Sequence, residues 1–211
     1  MAEDEARDIL MRNLDGEPLA EPRLLTFTAG KVTSFWNRNV VALGLASGFL
    51  EPLESTSIHL VQAALERLLK FLPNGPVNDA DVREYNRQAD FEIERVRDFL
   101  ILHYHLNDRP EPMWQACRDM AIPDSLAEKI ALFKANGRIQ RQALELFAEP
   151  GWLQVMIGQG LMPDGYNPLA DQASDEELVE VLRLLRETVA QRVTTLPPHR
   201  AYVERTFGSA S

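Results

Sequence analysis

The stretch Phe49-Leu-Glu-Pro-Leu-Glu-Ser-Thr-Ser57 places two carboxylates and a proline directly before a strongly periodic helix. Apolar side chains recur at three- and four-residue steps through residues 58–72, which is typical of an amphipathic helix that ends at Pro73. Upstream, the apolar run of residues 39–48, with glycines at 44 and 48, predicts a buried strand followed by a tight turn. The stretch is therefore predicted to be a strand-loop-helix junction.

The start of the predicted helix has the chemistry of a binding site. Three hydroxyl residues can cap it: Ser55, Thr56 and Ser57. The remaining N–H groups of the first turn would lie at the positive end of the helix dipole, which suits an anion. Glu54, beside apolar Leu53 and Phe49, is a candidate proton acceptor. The alternative is that Glu54 only supplies favourable charge to the helix start and Pro52 only shapes the turn.

Around the junction the sequence predicts a mainly α fold with a short strand region near the N-terminus. Two runs, 23–28 and 32–36, flank Ala29-Gly30-Lys31 and predict a hairpin. Helices are predicted at residues 3–14, from 78 or 79 to 106, and at 113–120, 125–135, 152–160 and 174–194. The last of these begins with a capping box formed by Ser174 and Glu177. The break at 74–78 predicts a boundary between residues 1–73 and a helical region of residues 74–211.

Composition restricts the classes of partner. The 211 residues are 45% apolar, enough for a sizeable core in one domain or two. A net charge of −10 argues against a nucleic-acid backbone or an anionic membrane as partner. The one cysteine, Cys117, excludes an intramolecular disulfide and suits a reducing compartment. No signal pattern opens the chain and charges interrupt every apolar stretch, so a cytoplasmic location is expected.

Histidines and tryptophans are further candidates for chemistry. His103 and His105 are two residues apart on a predicted helix and point to nearly opposite sides, so no metal site is predicted. His59 could face a substrate cavity or, alternatively, be a hydrogen-bonded residue on the polar face. Three tryptophans could stack on an aromatic substrate or, alternatively, pack in the core: Trp36, Trp114 and Trp152.

The run Phe35-Trp-Asn-Arg-Asn-Val-Val-Ala-Leu-Gly-Leu-Ala-Ser-Gly-Phe-Leu-Glu-Pro-Leu-Glu-Ser-Thr-Ser-Ile58 closely resembles the flavin-dependent tryptophan halogenase family. So do Ile122-Pro-Asp-Ser-Leu-Ala-Glu-Lys-Ile130 and Gly158-Gln-Gly-Leu-Met-Pro163. The similarity covers residues 3 to about 196. It implies that the chain is the carboxy-terminal part of a two-domain, flavin monooxygenase-like fold: residues 1–73 a remnant of the FAD and halide region, and 74–211 a helical domain on the substrate side.

The resemblance also implies an activity. In the family, reduced FAD from a separate flavin reductase reacts with oxygen, the hydroperoxide oxidises chloride or bromide, and hypohalous acid reaches an indole-type aromatic such as tryptophan. A lysine and a glutamate flank the carbon that is halogenated, and the glutamate matches Glu54. The backbone donors of the halide site match Thr56 and Ser57, although many relatives have glycine at the position of Ser57. The residues implied to border FAD are Gly48, Phe49, Leu50 and Pro52.

Several parts of the family pattern have no match in this sequence. These are the glycine-rich loop for the FAD pyrophosphate, the lysine and a Trp-x-Trp-x-Ile-Pro segment; the eleven glycines never form G-x-G-x-x-G. The expectation is a carboxy-terminal fragment that lacks the N-terminal FAD-binding portion and is inactive alone. Residues 146–154 lack an expected tyrosine pair, so tryptophan, indole and larger indole-containing molecules stay open. A stand-alone helical protein-interaction module and a flavin monooxygenase without halogenation are the alternative functions.

Overall fold

The computed structural model describes residues 2–142 and 145–208, which divide into two compact units. The larger unit extends to Glu128 and resumes over Gln140–Leu161, and the smaller comprises Lys129–Ile139 and the chain from Met162 onward. Helices supply most of the regular structure and the strands are short, so the predicted mainly α fold is confirmed. The boundary predicted at residue 74 concerns a division by function, and it stays a prediction.

Four two-residue strands form two antiparallel pairs in the first part of the larger unit. Strand β1 (Gly30–Lys31) pairs with β4 (Gly48–Phe49), and β2 (Trp36–Asn37) pairs with β3 (Val40–Val41). The hairpin predicted at 23–36 is wrong, because residues 23–28 form no strand and β1 pairs with β4 instead. The buried strand predicted at 39–48 is also wrong, because that run divides into β3, a 3₁₀ turn and the start of β4, and its side chains are half-buried or exposed.

Gly48 explains why this apolar run does not continue as one strand. Its φ is 154°, and a Cβ at this position would lie 2.6 Å from the carbonyl oxygen of Gly30 and 2.9 Å from the Cα of Lys31. Any side chain would therefore push β1 and β4 apart, so their pairing requires glycine here. Gly44, with a φ of 59°, has already turned the chain at the preceding 3₁₀ turn. The conformation of two glycines thus overrides the strand propensity of their apolar neighbours.

Three helices belong to the first half of the chain. Helix α1 (Glu3–Arg12) precedes the strands, and α2 (Ser57–Lys70) follows the junction as predicted. Helix α3 (Asp79–His105) is the longest, and its N-cap Asn78 accepts a hydrogen bond from the N–H of Asp81 through its side chain. The predicted start of the long helix is therefore confirmed, together with the cap that defines it.

The second half of the chain is helical as well. Its helices are α4 (Pro112–Asp119), α5 (Asp124–Asn136), α6 (Glu149–Gly158), α7 (Asp175–Thr195) and α8 (His199–Phe207). The predicted capping box of α7 is present: the N–H of Glu177 donates to Ser174 Oγ, and the N–H of Ser174 donates to the Glu177 carboxylate. Helix α8 was not predicted, because the two prolines before it indicate a break; Pro198 instead takes its N-cap position.

Helix α3 forms the centre of the larger unit, with nine buried residues. Its Asn86 holds the strand region, because the Asn86 side chain accepts from the N–H of Trp36 at 2.8 Å and donates to the Trp36 carbonyl at 2.9 Å. The Tyr85 hydroxyl donates to the Ala64 carbonyl at 3.2 Å and so ties α2 to α3. The residues that follow β4 are thereby fixed against the length of α3.

In the smaller unit, the end of α5 is tied to the segment after Met162. Lys134 Nζ donates to the Met162 carbonyl at 3.0 Å and lies 2.8 Å from the Asp164 carboxylate. The backbone N–H of Asp164 in turn donates to the Lys134 carbonyl. Helices α7 and α8 have no buried residue. None of the described helices combines the length and the apolar character needed to cross a membrane.

Candidate functional site

The junction between β4 and α2 lines a cavity of about 190 Å³ in the larger unit. Val61 of α2 and Ile93 of α3 are among the apolar residues on its other sides. The structure brings together five of the seven residues singled out in the sequence: Gly48, Phe49, Leu50, Thr56 and Ser57. Pro52 and Glu54 lie in the same loop but do not line this cavity.

The start of α2 presents backbone donors at this cavity. Thr56 takes the N-cap position and is only 5% exposed, but its side chain makes no capping hydrogen bond. The predicted hydroxyl cap is therefore not formed by the N-cap residue. The first-turn N–H groups, beginning with that of Ser57, have no partner within the helix, and they lie at the positive end of its dipole. This helix start can therefore hold an anion.

Glu54 is held in a strained conformation. It lies in the 3₁₀ turn Leu53–Ser55 with φ 63° and ψ −2°, and Ser55 follows with φ 50°. Residues other than glycine rarely have a positive φ, and each such conformation costs about 1–3 kcal/mol. Pro52 begins the turn, and its carbonyl accepts from the N–H of Ser55 at 3.0 Å. Two consecutive strained residues thus determine where the Glu54 carboxylate lies.

The Glu54 carboxylate contacts His103 of α3. Its Oε1 lies 3.3 Å from Nε2 of the imidazole, and the two side chains are 36% and 18% exposed. Sequence reasoning considered His103 only as half of a metal motif and missed this contact. Sequence spacing does not predict this contact, because it joins a loop to the last turn of a helix that is far away in the sequence.

The second carboxylate of the junction contacts the next residue of α3. The Tyr104 hydroxyl donates to Glu51 Oε2 at 2.9 Å, and the ring of Tyr104 stacks on Trp114. Burial raises the pKa of the Tyr104 hydroxyl, and the hydrogen bond to Glu51 raises it further. Both residues line a second cavity of about 280 Å³, where Cys117 also lies. His103 and Tyr104 therefore each contact one of the two loop carboxylates.

The remaining candidate residues have structural roles, in hydrogen bonds or in the core. His59 Nε2 lies 3.1 Å from Glu92 Oε1, a carboxylate that Arg67 also bonds, so His59 has the hydrogen-bonded role. Trp36 and Trp152 are buried in the core. Among the residues that the structure describes, no group of three or more His, Cys, Asp or Glu side chains is arranged to hold a metal ion.

Several known proteins to which this chain is similar are described as halogenases. A family model described as tryptophan halogenase matches residues 1–175. Xcc4156, a flavin-dependent halogenase from Xanthomonas campestris, is 47% identical with a TM-score of 0.91, over 97% of this chain and 42% of that one. BrvH, a flavin-dependent halogenase from Brevundimonas sp. BAL3, is 41% identical with a TM-score of 0.88, over 96% and 42%. Tryptophan 7-halogenase RebH from Lentzea aerocolonigenes is 28% identical over 91% of this chain and 40% of its own length. The chain thus spans about two fifths of these relatives.

Proposed function

The chain belongs to the tryptophan halogenase family, and from this premise we propose that it is the carboxy-terminal portion of a flavin-dependent halogenase that acts on an indole-type aromatic such as tryptophan. The observation that carries the proposal is the junction before α2, where a helix start borders a cavity and a carboxylate is held in a strained turn. A module that only binds a protein partner would need neither feature.

A chloride or bromide ion would bind at the start of α2, at the backbone N–H groups of Thr56 and Ser57. The surroundings fit an anion, because the first-turn donors have no helical partner and Thr56 is buried, which strengthens the electrostatic attraction. Serine in place of glycine is compatible with this role. The backbone of Ser57 is helical and does not have a positive φ, so the position does not require glycine.

FAD would border the β4 side of the same junction. Phe49 and Leu50 offer an apolar wall to the flavin, and Pro52 begins the turn that follows. Gly48 would border FAD through its backbone, because the space beside its Cα is filled by Gly30 and Lys31. When bound, FAD reduced by a separate flavin reductase would supply the oxidation of the halide by oxygen. The pyrophosphate loop would belong to an N-terminal portion, because this sequence has no G-x-G-x-x-G.

Glu54 would be the catalytic residue of this portion. A carboxylate placed beside the aromatic ring would orient it and accept the proton from the carbon that is halogenated, while the C–H electron pair returns to the ring. Its Oε1 contacts His103, and no donor of the described residues bonds Oε2, so that oxygen can reach a substrate. The strained turn would fix this geometry before the substrate arrives.

The experiment is a chimera in which this chain replaces the matching 42% of Xcc4156. With a flavin reductase, FAD, oxygen and bromide or chloride, we expect halogenated indole or tryptophan by mass spectrometry. Glu54→Gln should reduce turnover by about 10²-fold or more with FAD binding unchanged. The matched control is Glu66→Gln, which alters an exposed carboxylate of α2 and should leave turnover as it is.

Three results would contradict the proposal or a part of it. Full turnover in the Glu54→Gln chimera would remove Glu54 from the reaction. A chimera that binds FAD and yields only hydroxylated product would identify a monooxygenase that does not halogenate. One that binds FAD and transforms no aromatic would favour an interaction module.

A further inference from the structure

We propose that His103 is a positioning residue for Glu54, through a proton held between Nε2 of the imidazole and Oε1 of the carboxylate. The catalytic meaning of this contact rests on the role proposed for Glu54, but the shared proton does not. The two ring nitrogens of His103 have different neighbours: Nδ1 lies beside the Phe99 carbonyl and Nε2 beside the Glu54 carboxylate.

The first nitrogen determines where hydrogen is present. His103 Nδ1 lies 2.8 Å from the carbonyl oxygen of Phe99, one helical turn earlier. A carbonyl oxygen only accepts, so Nδ1 carries a hydrogen and donates it. A neutral imidazole would then have a lone pair on Nε2, which faces Glu54 Oε1 at 3.3 Å. Two lone pairs repel, whereas a proton between them makes the contact attractive and charge-assisted.

The position of His103 in the fold suits the proposed contact with Glu54. His103 lies in the last turn of α3, where the negative end of the helix dipole stabilises a positive charge. Its ring makes a T-shaped contact with that of Phe99, with ring centroids 4.9 Å apart, and the side chain is only 18% exposed. The imidazole therefore has one orientation, and in that orientation Nε2 faces the carboxylate.

The strain at Glu54 has a counterpart in this contact. Strained residues persist where the surrounding structure compensates for them. The attraction between Glu54 and His103 is an interaction that this conformation allows. With Oε1 engaged, the carboxylate cannot rotate freely, and Oε2 is presented in one direction. An orientation that is fixed in advance is what a proton acceptor requires.

The first test is nitrogen-15 NMR of the labelled full chain near neutral pH, which reports on the ring nitrogens of its four histidines. We expect both ring nitrogens of His103 to be protonated, and Glu54→Gln to leave hydrogen on Nδ1 alone. The matched control is Glu51→Gln, which changes the carboxylate bonded to Tyr104 and should leave the His103 ring unchanged. The signals of His59, which contacts Glu92, should not change in either variant. A His103 ring with hydrogen only on Nε2, or one that ignores Glu54→Gln, would overturn the proposal.

The second test is turnover of the chimera with His103→Leu and His103→Gln. Leucine removes the donor, and we expect kcat to fall by about 10²-fold with KM nearly unchanged, because a small misplacement of an acting group has that cost. Glutamine can offer an N–H to Oε1 and should restore about 10-fold of this loss. Equal activity of the two variants would contradict a positioning role. Should the leucine variant not fold, the comparison of His103→Gln with the parent and the NMR result still decide.

The two proposals fail in distinguishable ways. Full turnover in Glu54→Gln would refute the catalytic role of Glu54, even if NMR shows the shared proton. Loss of turnover in Glu54→Gln together with a His103 ring that lacks the second proton would refute the inference about His103 alone.

Discussion

Helices α3 and α7 are both long and both begin with a side-chain cap that the sequence predicts, yet their surroundings are opposite. Helix α3 has nine buried residues, whereas α7 has none. Capping and periodicity act within a few residues, so they predict where either helix begins. Burial depends on what packs against a helix. The signals that form a helix therefore do not determine whether that helix belongs to the core.

The exposed face of α7 is nevertheless patterned. Five apolar side chains follow one another at steps of three or four residues and are all exposed: Leu178, Leu182, Leu185, Val189 and Val193. This spacing is typical of a helix face that contacts another surface. In α3, side chains at the same kind of spacing pack in the core. Phe99 and His103, for example, are four residues apart and their rings are in contact.

The largest expected effect is on the free energy of unfolding, when one apolar side chain is truncated in each helix. Phe99 is 2% exposed and contacts the rings of Phe147 and Trp152. Phe99→Ala should lower the free energy of unfolding by about 3–5 kcal/mol, through lost burial and a cavity. Leu182→Ala, at a side chain that is 66% exposed, should change it by less than about 0.5 kcal/mol. Urea unfolding measures both; a large cost at Leu182 would mean that the α7 face is covered in solution.

The caps test what the two helices share. Asn78→Ala removes the side-chain acceptor for the N–H of Asp81, and Ser174→Ala removes the acceptor for the N–H of Glu177. Each should lower the stability of its own region by about 1 kcal/mol, because a capping hydrogen bond is lost. Hydrogen exchange at the first turn of each helix gives the local value. A cost at only one of the caps would show that capping, too, depends on burial.

The sequence predicted elements whose signals are local. The caps of α3 and α7 involve residues three apart, and the periodic face of α2 lies within one helix. The prediction of the strand pairs was wrong because pairing is a contact between segments that are far apart in the sequence. Nothing in residues 23–36 indicates that Gly30 pairs with Phe49, since that register follows from the close backbone approach at Gly48.

The candidate site divides in the same way. The carboxylate and the helix start are visible as a motif of consecutive residues, so Glu54 and Thr56 could be named from sequence. Their surroundings could not. The contact with His103 requires the loop to lie against the last turn of α3, and the positive φ of Glu54 appears only in the folded chain. Long-range contacts therefore complete a site whose main residues are local.

The smallest expected effect concerns acid pH and the exposed ion pairs of the two helices. Two hydrogen bonds from Arg87 and one from Gln88 lower the pKa of Glu84 on α3 from its ordinary 4.5 to about 2. On α7, the hydrogen bonds from Arg183 lower the pKa of Glu180. A carboxyl whose pKa is lower in the folded chain stabilises the fold above its unfolded pKa, and this contribution is lost as pH falls through the folded pKa.

For Glu84 that window extends from about pH 4.5 down to about 2. The stability difference between the parent and Glu84→Gln should therefore be constant above the window and shrink within it. Carboxyl carbon-13 NMR should show Glu84 titrating below its ordinary range, and Arg87→Leu should return it toward 4.5. Arg183→Leu should shift Glu180 in the same direction, because both pairs are exposed and three residues apart. A shift confined to Glu84 would mean that the ion pair, unlike the cap, depends on the packed surroundings of α3.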